Sequence, residues 1–288
     1  MKNILIAVWL SVPVIMGCER VVNIDVEEGP ERLVVEGRIE RHQDDRAVAQ
    51  SIRLSTTAPY FSNEATPVVS GAEVIVHDDE GTTYLFAESS RQAGMYENRD
   101  MRPEVGRTYT LEIDLEGESY RAVETLLPVA PIDSIYQQFE KANSFEDGGI
   151  RVKIDYQDVP GREDYYLWEQ FADDVLQAEP DPGNSLNFVG SDEFFDGEHV
   201  IGFEPNQEAT VKSDQLVLVR QLSLSKEAFE YYFLLFEETG QDPLFPTPAS
   251  LIRGNIENLT NPQRYALGYF GASEVDTAEL QIVEERGP

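Results

Sequence analysis

The residue with the clearest chemistry in this chain is its single cysteine, which stands at position 18 behind a short apolar segment. Residues 4–16 are apolar apart from Ser11 and Pro13. This stretch is shorter than the roughly 20 apolar residues that span a membrane. A basic start, a short apolar stretch and a small residue before the cysteine are typical of a secretory signal.

The end of this segment, IMGC at residues 15–18, resembles the lipobox of bacterial lipoproteins, whose cysteine sulfur receives a diacylglycerol. We therefore expect cleavage between Gly17 and Cys18 and lipidation of Cys18, with residues 1–17 as signal peptide and 18–30 as a tether. More than one acyl chain holds a protein firmly at a membrane. The alternative is an unpaired cysteine in an ordinary secreted protein, because a lone cysteine forms no intrachain disulfide.

Carboxylates are the second group that could do chemistry, and four of them cluster in one loop segment: Asp192, Glu193, Asp196 and Glu198. Oxygen ligands suit Ca²⁺, but the spacing differs from that of an EF-hand loop. The alternative is an acidic loop that water solvates. We therefore predict no resident metal and no cofactor, with these four acids as a calcium candidate.

Nucleophilic and transition-metal chemistry finds little support in the sequence. The three histidines stand at positions 42, 77 and 199, and none has a second His or Cys at metal-ligand spacing. The H-E-x-x-H, G-x-S-x-G and P-loop motifs are all missing. A carboxylate pair for glycoside hydrolysis is an open alternative, although no pair stands out among 54 acidic residues. We therefore predict no catalytic residue.

Two short runs could direct modification. DSI at residues 133–135 and DTA at residues 276–278 resemble a three-residue bacterial O-glycosylation signal. Ser134 and Thr277 would then carry glycan. Such short motifs also arise by chance in an acidic chain, and that is the alternative.

The charge balance restricts the partners. The chain has 54 acidic and 22 basic residues and a formal net charge of −32. Such an excess repels nucleic acid and anionic lipid surfaces, so we expect no nucleic-acid partner. A solvated surface is one interpretation of this charge, and binding or steering of cations is the other. Hydrophobic residues at 41% are enough for real cores.

In the first half of the chain, the sequence predicts strands as the main structural elements. RLVVEGRIE at residues 32–40 alternates apolar and polar residues, which is typical of a half-buried strand. Residues 71–88 and 106–126 each read as two alternating runs around a turn, which predicts hairpins. The spacing of strands and turns predicts an immunoglobulin-like β-sandwich over residues 31–127.

The second half, residues 128–288, is predicted as another β domain with one packed helix. A proline-rich stretch marks the boundary. The acidic segment 173–198 is too long for an ordinary loop, and we expect it to contact a partner, bind calcium or bind ligand. A helix is predicted near residues 225–239, with Ser225 as N-cap and an aromatic stripe that packs on the sheet. Two strand-like segments, residues 264–275 and 278–285, close the chain.

Several runs in order resemble a Bacteroidetes outer-membrane lipoprotein family, domain of unknown function 4249. They are LVVEGRI, VSGAEVIVHDDEG, GMYEN, VGRTYTLEI, PIDSIY and GNIENLTNPQRYALGYFGAS. The resemblance implies an exported outer-membrane lipoprotein. Members are often encoded beside TonB-dependent receptors, which implies such a receptor as partner. The family offers no catalytic residues to carry over, and only Cys18 transfers as a functional position.

The function we expect is therefore non-enzymatic: an accessory or binding subunit of a TonB-dependent nutrient uptake receptor. The lipid anchor would hold it on the outer membrane, facing the cell surface rather than the periplasm. A stand-alone surface glycan-binding lipoprotein is the first alternative, and exposed aromatic rings in a cleft would favour it. A glycoside hydrolase is the second, and two carboxylates facing each other across a pocket would favour it.

Overall fold

The computed structural model describes residues 29–59, 65–142, 148–178, 188–206, 209–239 and 251–284. The predicted signal peptide, with Gly17 and Cys18, lies outside the described residues. The strands of the first half are β1 (Leu33–His42), β2 (Gln50–Thr56), β3 (Glu73–Asp78), β4 (Thr83–Glu88), β5 (Met95–Asn98), β6 (Thr108–Leu115) and β7 (Glu118–Thr125).

The second half continues with strands and contributes a helix. These elements are β8 (Ile132–Glu140), β9 (Gly149–Gln157), β10 (Tyr165–Ala172), β11 (Val175–Leu176), β12 (Val189–Ser191), β13 (His199–Phe203), β14 (Leu216–Leu224), α1 (Lys226–Thr239), β15 (Glu257–Asn258) and β16 (Leu267–Gln281). The described chain is therefore mainly β, as the sequence predicts.

Alternation of side chains explains the strands of the first half. In β1, Leu33, Val35 and Ile39 are buried, while Glu36 on the other face is exposed. Successive side chains of a strand point to opposite faces of the sheet, so such a pattern gives one apolar face. The predicted hairpins are present as β3–β4 and β6–β7, each paired antiparallel.

One large sheet runs through the described chain, and its strands follow the order β11-β10-β14-β16-β1-β2-β5-β4-β3-β6-β7-β15, with β12 beside β10. Strands that are far apart in this order contribute to a single apolar core, which we call the first core. They include β1 and β2 near the middle of the sheet, and β3 and β6 near one edge. The sheet therefore folds over its own apolar face.

The long strand β16 connects the two halves. Its residues 267–275 pair parallel with β1, and residues 275–281 pair antiparallel with β14. The expectation of two separate closing segments is therefore wrong. The polar residue Asp276 does not interrupt the strand, because its Oδ2 accepts a hydrogen bond of 2.7 Å from the backbone N–H of Ile132.

A second core lies between the large sheet and a separate sheet of β13, β9 and β8. It contains Ile154 and Tyr156 of β9, Trp168 of β10 and Val219 of β14. Leu222 and Leu224 of β14 belong instead to the group of residues that packs with α1. Because odd and even residues of a strand face opposite ways, the helix covers the other face of the sheet.

Helix α1 begins and packs as the sequence predicts. The Ser225 Oγ accepts a hydrogen bond of 3.1 Å from the Ala228 N–H, which is the geometry of an N-cap. The Phe229 ring lies 5.0 Å from the ring of Tyr165 on β10. The aromatic side chains on this face of α1 therefore pack against the sheet, as core residues do. Among the described residues, no helix combines the length and the apolar character needed to cross a bilayer.

The predicted domain boundary falls between β7 and β8. From Glu31 onward the chain forms one compact unit. Strand β16 supplies Phe270 to the first core and Leu280 to the edge of the second core. Whether residues 31–127 and 128–288 fold independently stays a prediction.

Candidate functional site

Three aspartates that are distant in sequence meet at one end of the second core. One carboxylate oxygen each of Asp158, Asp164 and Asp192 lies within 4.8 Å of the other two. The three residues are only 0%, 7% and 2% exposed. We call this group the aspartate cluster. No second group of three such side chains is found among the described residues. Buried acids are rare without a partner, so the cluster is the candidate functional site.

Strand ends bring the three residues together. Asp158 directly follows β9, Asp164 directly precedes β10, and Asp192 directly follows β12. Strands β10 and β12 pair antiparallel, with Tyr165 opposite Ser191. The start of β10 therefore lies beside the end of β12, and the Asp192 N–H donates a 3.1 Å hydrogen bond to the Asp164 carbonyl oxygen.

Asp158 is held by two donors. Its Oδ1 accepts a 2.5 Å hydrogen bond from the Tyr166 hydroxyl, and its Oδ2 accepts a 2.8 Å hydrogen bond from the Gly197 N–H. Gly197 has a φ of +71°, which glycine adopts without steric cost. A Cβ at Gly197 would lie 2.6 Å from the Pro160 Cβ. The turn that follows Asp192 therefore closes tightly on Asp158.

The charge of the cluster is only partly balanced. The Arg162 Nε donates a 2.5 Å hydrogen bond to Asp164 Oδ1. Three buried atoms around the cluster have no hydrogen-bond partner among the described residues: Asp192 Oδ2, the Tyr156 hydroxyl and Arg162 Nη2. Three carboxylates and one guanidinium leave two negative charges uncompensated, and burial of unpaired charge is costly.

The electrostatic surroundings raise the affinity of the cluster for positive charge. Burial raises the pKa of Asp192, and the charge of Asp158 raises it further. Burial also raises the pKa of Asp164, although the hydrogen bond from Arg162 opposes this shift. The folded protein therefore favours either a bound proton or a bound cation at these carboxylates.

Aromatic rings line the core beneath the cluster. The rings of Tyr166 and Trp168 stack at 5.5 Å, and Trp168 lies 4.2 Å from the ring of Phe203. The Trp168 Nε1 donates a 2.8 Å hydrogen bond to Gln221 Oε1. Trp168 is buried and so belongs to the core, as its alternation in the sequence indicates. The apolar wall excludes water from one side of the carboxylates, which strengthens their electrostatic interactions.

Only one of the four acids singled out from the sequence belongs to the aspartate cluster. Asp192 does, while Glu193 and Glu198 are exposed. Asp196 is also exposed, and its Oδ1 accepts a 2.6 Å hydrogen bond from the Gly161 N–H. The loop therefore does not gather its own acids around one point. Instead, the loop places Asp192 beside Asp158 and Asp164, which lie in the connection between β9 and β10.

Sequence reasoning missed Asp158 and Asp164. The only available signal was their position, since each borders a strand in the run YQDVPGREDYY at residues 156–166. The pairing of β12 with β10, which brings Asp192 to Asp164, joins residues more than 20 positions apart. No local pattern encodes that pairing.

The two glycosylation candidates lie on strands. Ser134 is exposed on β8, and its Oγ donates a 2.8 Å hydrogen bond to Asp155 Oδ2. Thr277 is half-buried on β16, where its Oγ1 accepts a 3.3 Å hydrogen bond from Arg46 Nη2. Glycosylation at these hydroxyls stays a prediction.

A second charged group lies on the helix-bearing face of the large sheet. Arg38 Nη1 lies 3.1 Å from Glu169 Oε1, and Arg220 Nη2 lies 2.7 Å from Glu40 Oε2. Burial would raise the pKa of Glu40, but a hydrogen bond with His42 and the charges of the arginines lower it to about 2. Two arginines and two glutamates balance here, so this group carries no net charge.

An exposed aromatic residue stands beside the aspartate cluster. Phe194 is 89% exposed. Its neighbour Phe195 instead packs inward, with its ring 6.5 Å from that of Tyr156. The Phe195 N–H donates a 2.8 Å hydrogen bond to the Asp192 carbonyl oxygen. The turn after Asp192 therefore anchors one phenylalanine and presents the other to solvent.

The fold and the site define a mainly β protein with a buried acidic cluster at the end of one core. The chain matches the family model for domain of unknown function 4249 (DUF4249) over residues 19–279. This match spans most of the chain, so the protein belongs to that family. The family resemblance predicted from the sequence is thereby confirmed. A search of curated proteins returns no match.

Proposed function

We propose that this protein is an exported outer-membrane lipoprotein and a non-enzymatic accessory subunit of a TonB-dependent nutrient uptake receptor. The lipobox-like run IMGC at residues 15–18 supports the lipid anchor. The family match begins at residue 19, directly after the cysteine that would carry the lipid. An anchored protein meets membrane partners at high effective concentration, which favours a binding role.

The observation that carries the binding role is the exposure of Phe194. A phenylalanine that is 89% exposed on a hydrogen-bonded turn leaves a large apolar surface in water. Aromatic residues are enriched where partner proteins dock. Val159 on the neighbouring β9–β10 connection is also exposed. The turn of residues 192–198 is thus the proposed contact with the receptor, within the acidic segment 173–198 predicted from the sequence.

The first region of the chain has a supporting role in this proposal. We propose that residues 31–127 are an immunoglobulin-like sandwich, and that the tether of residues 18–30 joins it to the lipid on the cell-surface side of the outer membrane. The Cys18→Ala substitution should then release the protein from the membrane. Mass spectrometry that finds an unmodified Cys18 in the membrane-bound protein would contradict the anchor.

The two alternatives receive less support from the described residues. Trp168, the one tryptophan after the predicted signal, is buried and so offers no platform to a sugar. A glycoside hydrolase needs its carboxylate pair beside the substrate. The carboxylates of the aspartate cluster are buried, and one of them is bound by Arg162. This arrangement suits a bound cation better than a bound sugar.

The test is a pull-down from gently solubilised membranes through a C-terminal tag. We expect the wild type to recover a β-barrel receptor in near-equal amount, and Phe194→Ser to recover much less. The matched control is Leu85→Ser, which changes another exposed apolar side chain on β4 and should leave recovery unchanged. Recovery of no receptor by the wild type, or turnover of a glycan by the isolated protein, would overturn the proposal.

A further inference from the structure

We propose that the aspartate cluster binds one Ca²⁺ ion, with Asp158, Asp164 and Asp192 as its protein ligands. The three carboxylates come from three different segments of the chain, so the ion would connect the ends of β9, β10 and β12. This site differs from the acidic loop that the sequence suggests, because two of its three ligands lie outside that loop.

The ligand set suits calcium. One oxygen from each aspartate lies within 4.8 Å of the other two, so a single cation between them can contact all three. Ca²⁺ accepts several carboxylate ligands in a flexible geometry, whereas Mg²⁺ demands near-ideal octahedral geometry and usually takes one or two carboxylates. Three carboxylates from separate segments of the chain therefore favour Ca²⁺ over Mg²⁺.

Two unpartnered oxygens point independently to a missing ligand. The Asp192 Oδ2 is buried and accepts no hydrogen bond from any described residue, and the Tyr156 hydroxyl is buried without a partner. Nearly all buried polar atoms in proteins have a partner, so each exception needs an explanation. A cation bound by the Asp192 carboxylate would satisfy its free oxygen, and a water molecule on that cation would serve the tyrosine.

The charge of the cluster matches a divalent ion. Arg162 offsets one of the three carboxylates through its 2.5 Å hydrogen bond to Asp164. The charged neighbours that influence Asp192 are the acids Asp158 and Asp196. Two negative charges remain, and one Ca²⁺ ion neutralises both. Protons on two carboxylates are the competing way to neutralise them.

The experiment uses Tb³⁺, which binds at calcium sites and emits when nearby aromatic rings are excited. Tyr166 donates a hydrogen bond to Asp158, so it can sensitise an ion in the cluster. We expect the purified full mature protein to sensitise Tb³⁺ emission, Ca²⁺ to displace that emission, and Mg²⁺ to displace it poorly. The melting temperature should rise by on the order of 5 °C at calcium one hundred times its dissociation constant.

The variants separate a cation site from a general effect of acidity. Asp192→Asn keeps the shape of the side chain and removes its charge, and should lose both the emission and the calcium-dependent rise in melting temperature. Asp158→Asn should lose them too. Glu193→Gln removes an exposed acid next to the cluster and should retain them.

Folding of the variants is checked by melting in chelator, where Asp192→Asn should be at least as stable as the wild type because a buried charge is gone. Three results would overturn the proposal: a wild type that responds to neither Ca²⁺ nor Tb³⁺, an Asp192→Asn protein that responds like the wild type, or Mg²⁺ that displaces Tb³⁺ as well as Ca²⁺ does. None of these results depends on a receptor partner.

Discussion

The two cores of this protein differ in what they bury. The first core is apolar, with side chains such as Val74, Leu111 and Phe270. The second core contains similar residues, but three carboxylates lie buried at its end. Apolar side chains stabilise a fold without further requirements. Buried acids reduce stability unless they are paired, so this group is a cost to the second core that a bound cation would offset in our proposal.

Strand β16 belongs to both cores, so substitutions in each core can be compared by their effect on unfolding. It runs through the sheet beside β1 and then beside β14, so damage to either core reaches the same strand. Because the cores share β16, we expect them to unfold together, and we expect each buried charge to respond to pH as its surroundings require.

The largest effect is expected from truncation in either core. Trp168→Ala in the second core should reduce the free energy of unfolding by about 3–5 kcal/mol, and Leu111→Ala in the first core by about 2–5 kcal/mol. Both side chains are buried. Because β16 links the cores, both substitutions should shift one common transition in urea unfolding.

Two separate transitions, each sensitive to only one of these substitutions, would instead support independent domains. Leu85→Ala is the control, because Leu85 is exposed on β4 and its truncation should change stability by less than about 0.5 kcal/mol.

The next effect concerns the balanced charges beneath α1. Glu40→Gln should reduce the free energy of unfolding by ~3 kcal/mol at neutral pH, since folding lowers the pKa of Glu40 from 4.5 to about 2. A lowered carboxylate pKa gives stability that is present above the unfolded value and is lost as the pH falls towards the folded value. The wild type should therefore lose this stability between pH 4.5 and about 2.

Urea unfolding across that pH range measures the free energy of unfolding at each pH. For Glu40→Gln this free energy should change less with pH than it does for the wild type. The control is Glu36→Gln, which changes an exposed acid on the same strand and should leave the profile unchanged. Equal slopes for the wild type and Glu40→Gln would show that the arginines do not stabilise this carboxylate.

A smaller effect of opposite sign is expected at Glu124, a buried acid of the first half. Burial raises its pKa, although the Tyr269 hydroxyl donates a 2.7 Å hydrogen bond to it. A raised carboxylate pKa gives stability that is present below the unfolded value of 4.5 and is lost as the pH rises through the folded value.

Glu124→Gln should consequently be at least as stable as the wild type at neutral pH. The difference in free energy of unfolding between the two should disappear as the pH falls towards 4.5. The free energy of unfolding is measured for both proteins at neutral pH and at pH 4.5. Glu73→Gln, which changes an exposed acid on β3, serves as the control. A variant that is less stable than the wild type at neutral pH would mean that the ionised carboxylate is favoured in the fold.

The smallest effect on stability is expected at Phe194. Its side chain is 89% exposed, so Phe194→Ser should change the free energy of unfolding by less than about 0.5 kcal/mol. A large loss of stability would show that the ring packs within the protein, and the proposed contact would lose its basis. Thermal unfolding beside the pull-down separates the two outcomes.

Much of the fold could be predicted because it is encoded locally. The alternation of Val74 and Val76, and the turn before Thr83, specify the β3–β4 hairpin within a few residues. Ser225 and the aromatic spacing after it specify the helix in the same way. The continuous β16 could not be predicted, because Asp276 looks like a break until the N–H of Ile132 is placed beside it.

The candidate site could be predicted only at Asp192. Asp164 lies beside it through the antiparallel pairing of β10 and β12. Asp158, at the end of β9 in the other sheet, is held by hydrogen bonds from Tyr166 and Gly197. Both contacts depend on tertiary structure. In a chain with 54 acidic residues, no acid is distinctive by type. Burial together with mutual proximity distinguishes these three, and both are properties of the folded chain.

The most direct test of the account is the number of calcium ions bound per chain. Equilibrium dialysis of the purified protein against labelled calcium, after removal of metal with a chelator, measures it. The account predicts one ion per chain for the wild type and for Glu193→Gln, and none for Asp192→Asn. A wild type that binds no calcium, or an Asp192→Asn protein that still binds one ion, would contradict it.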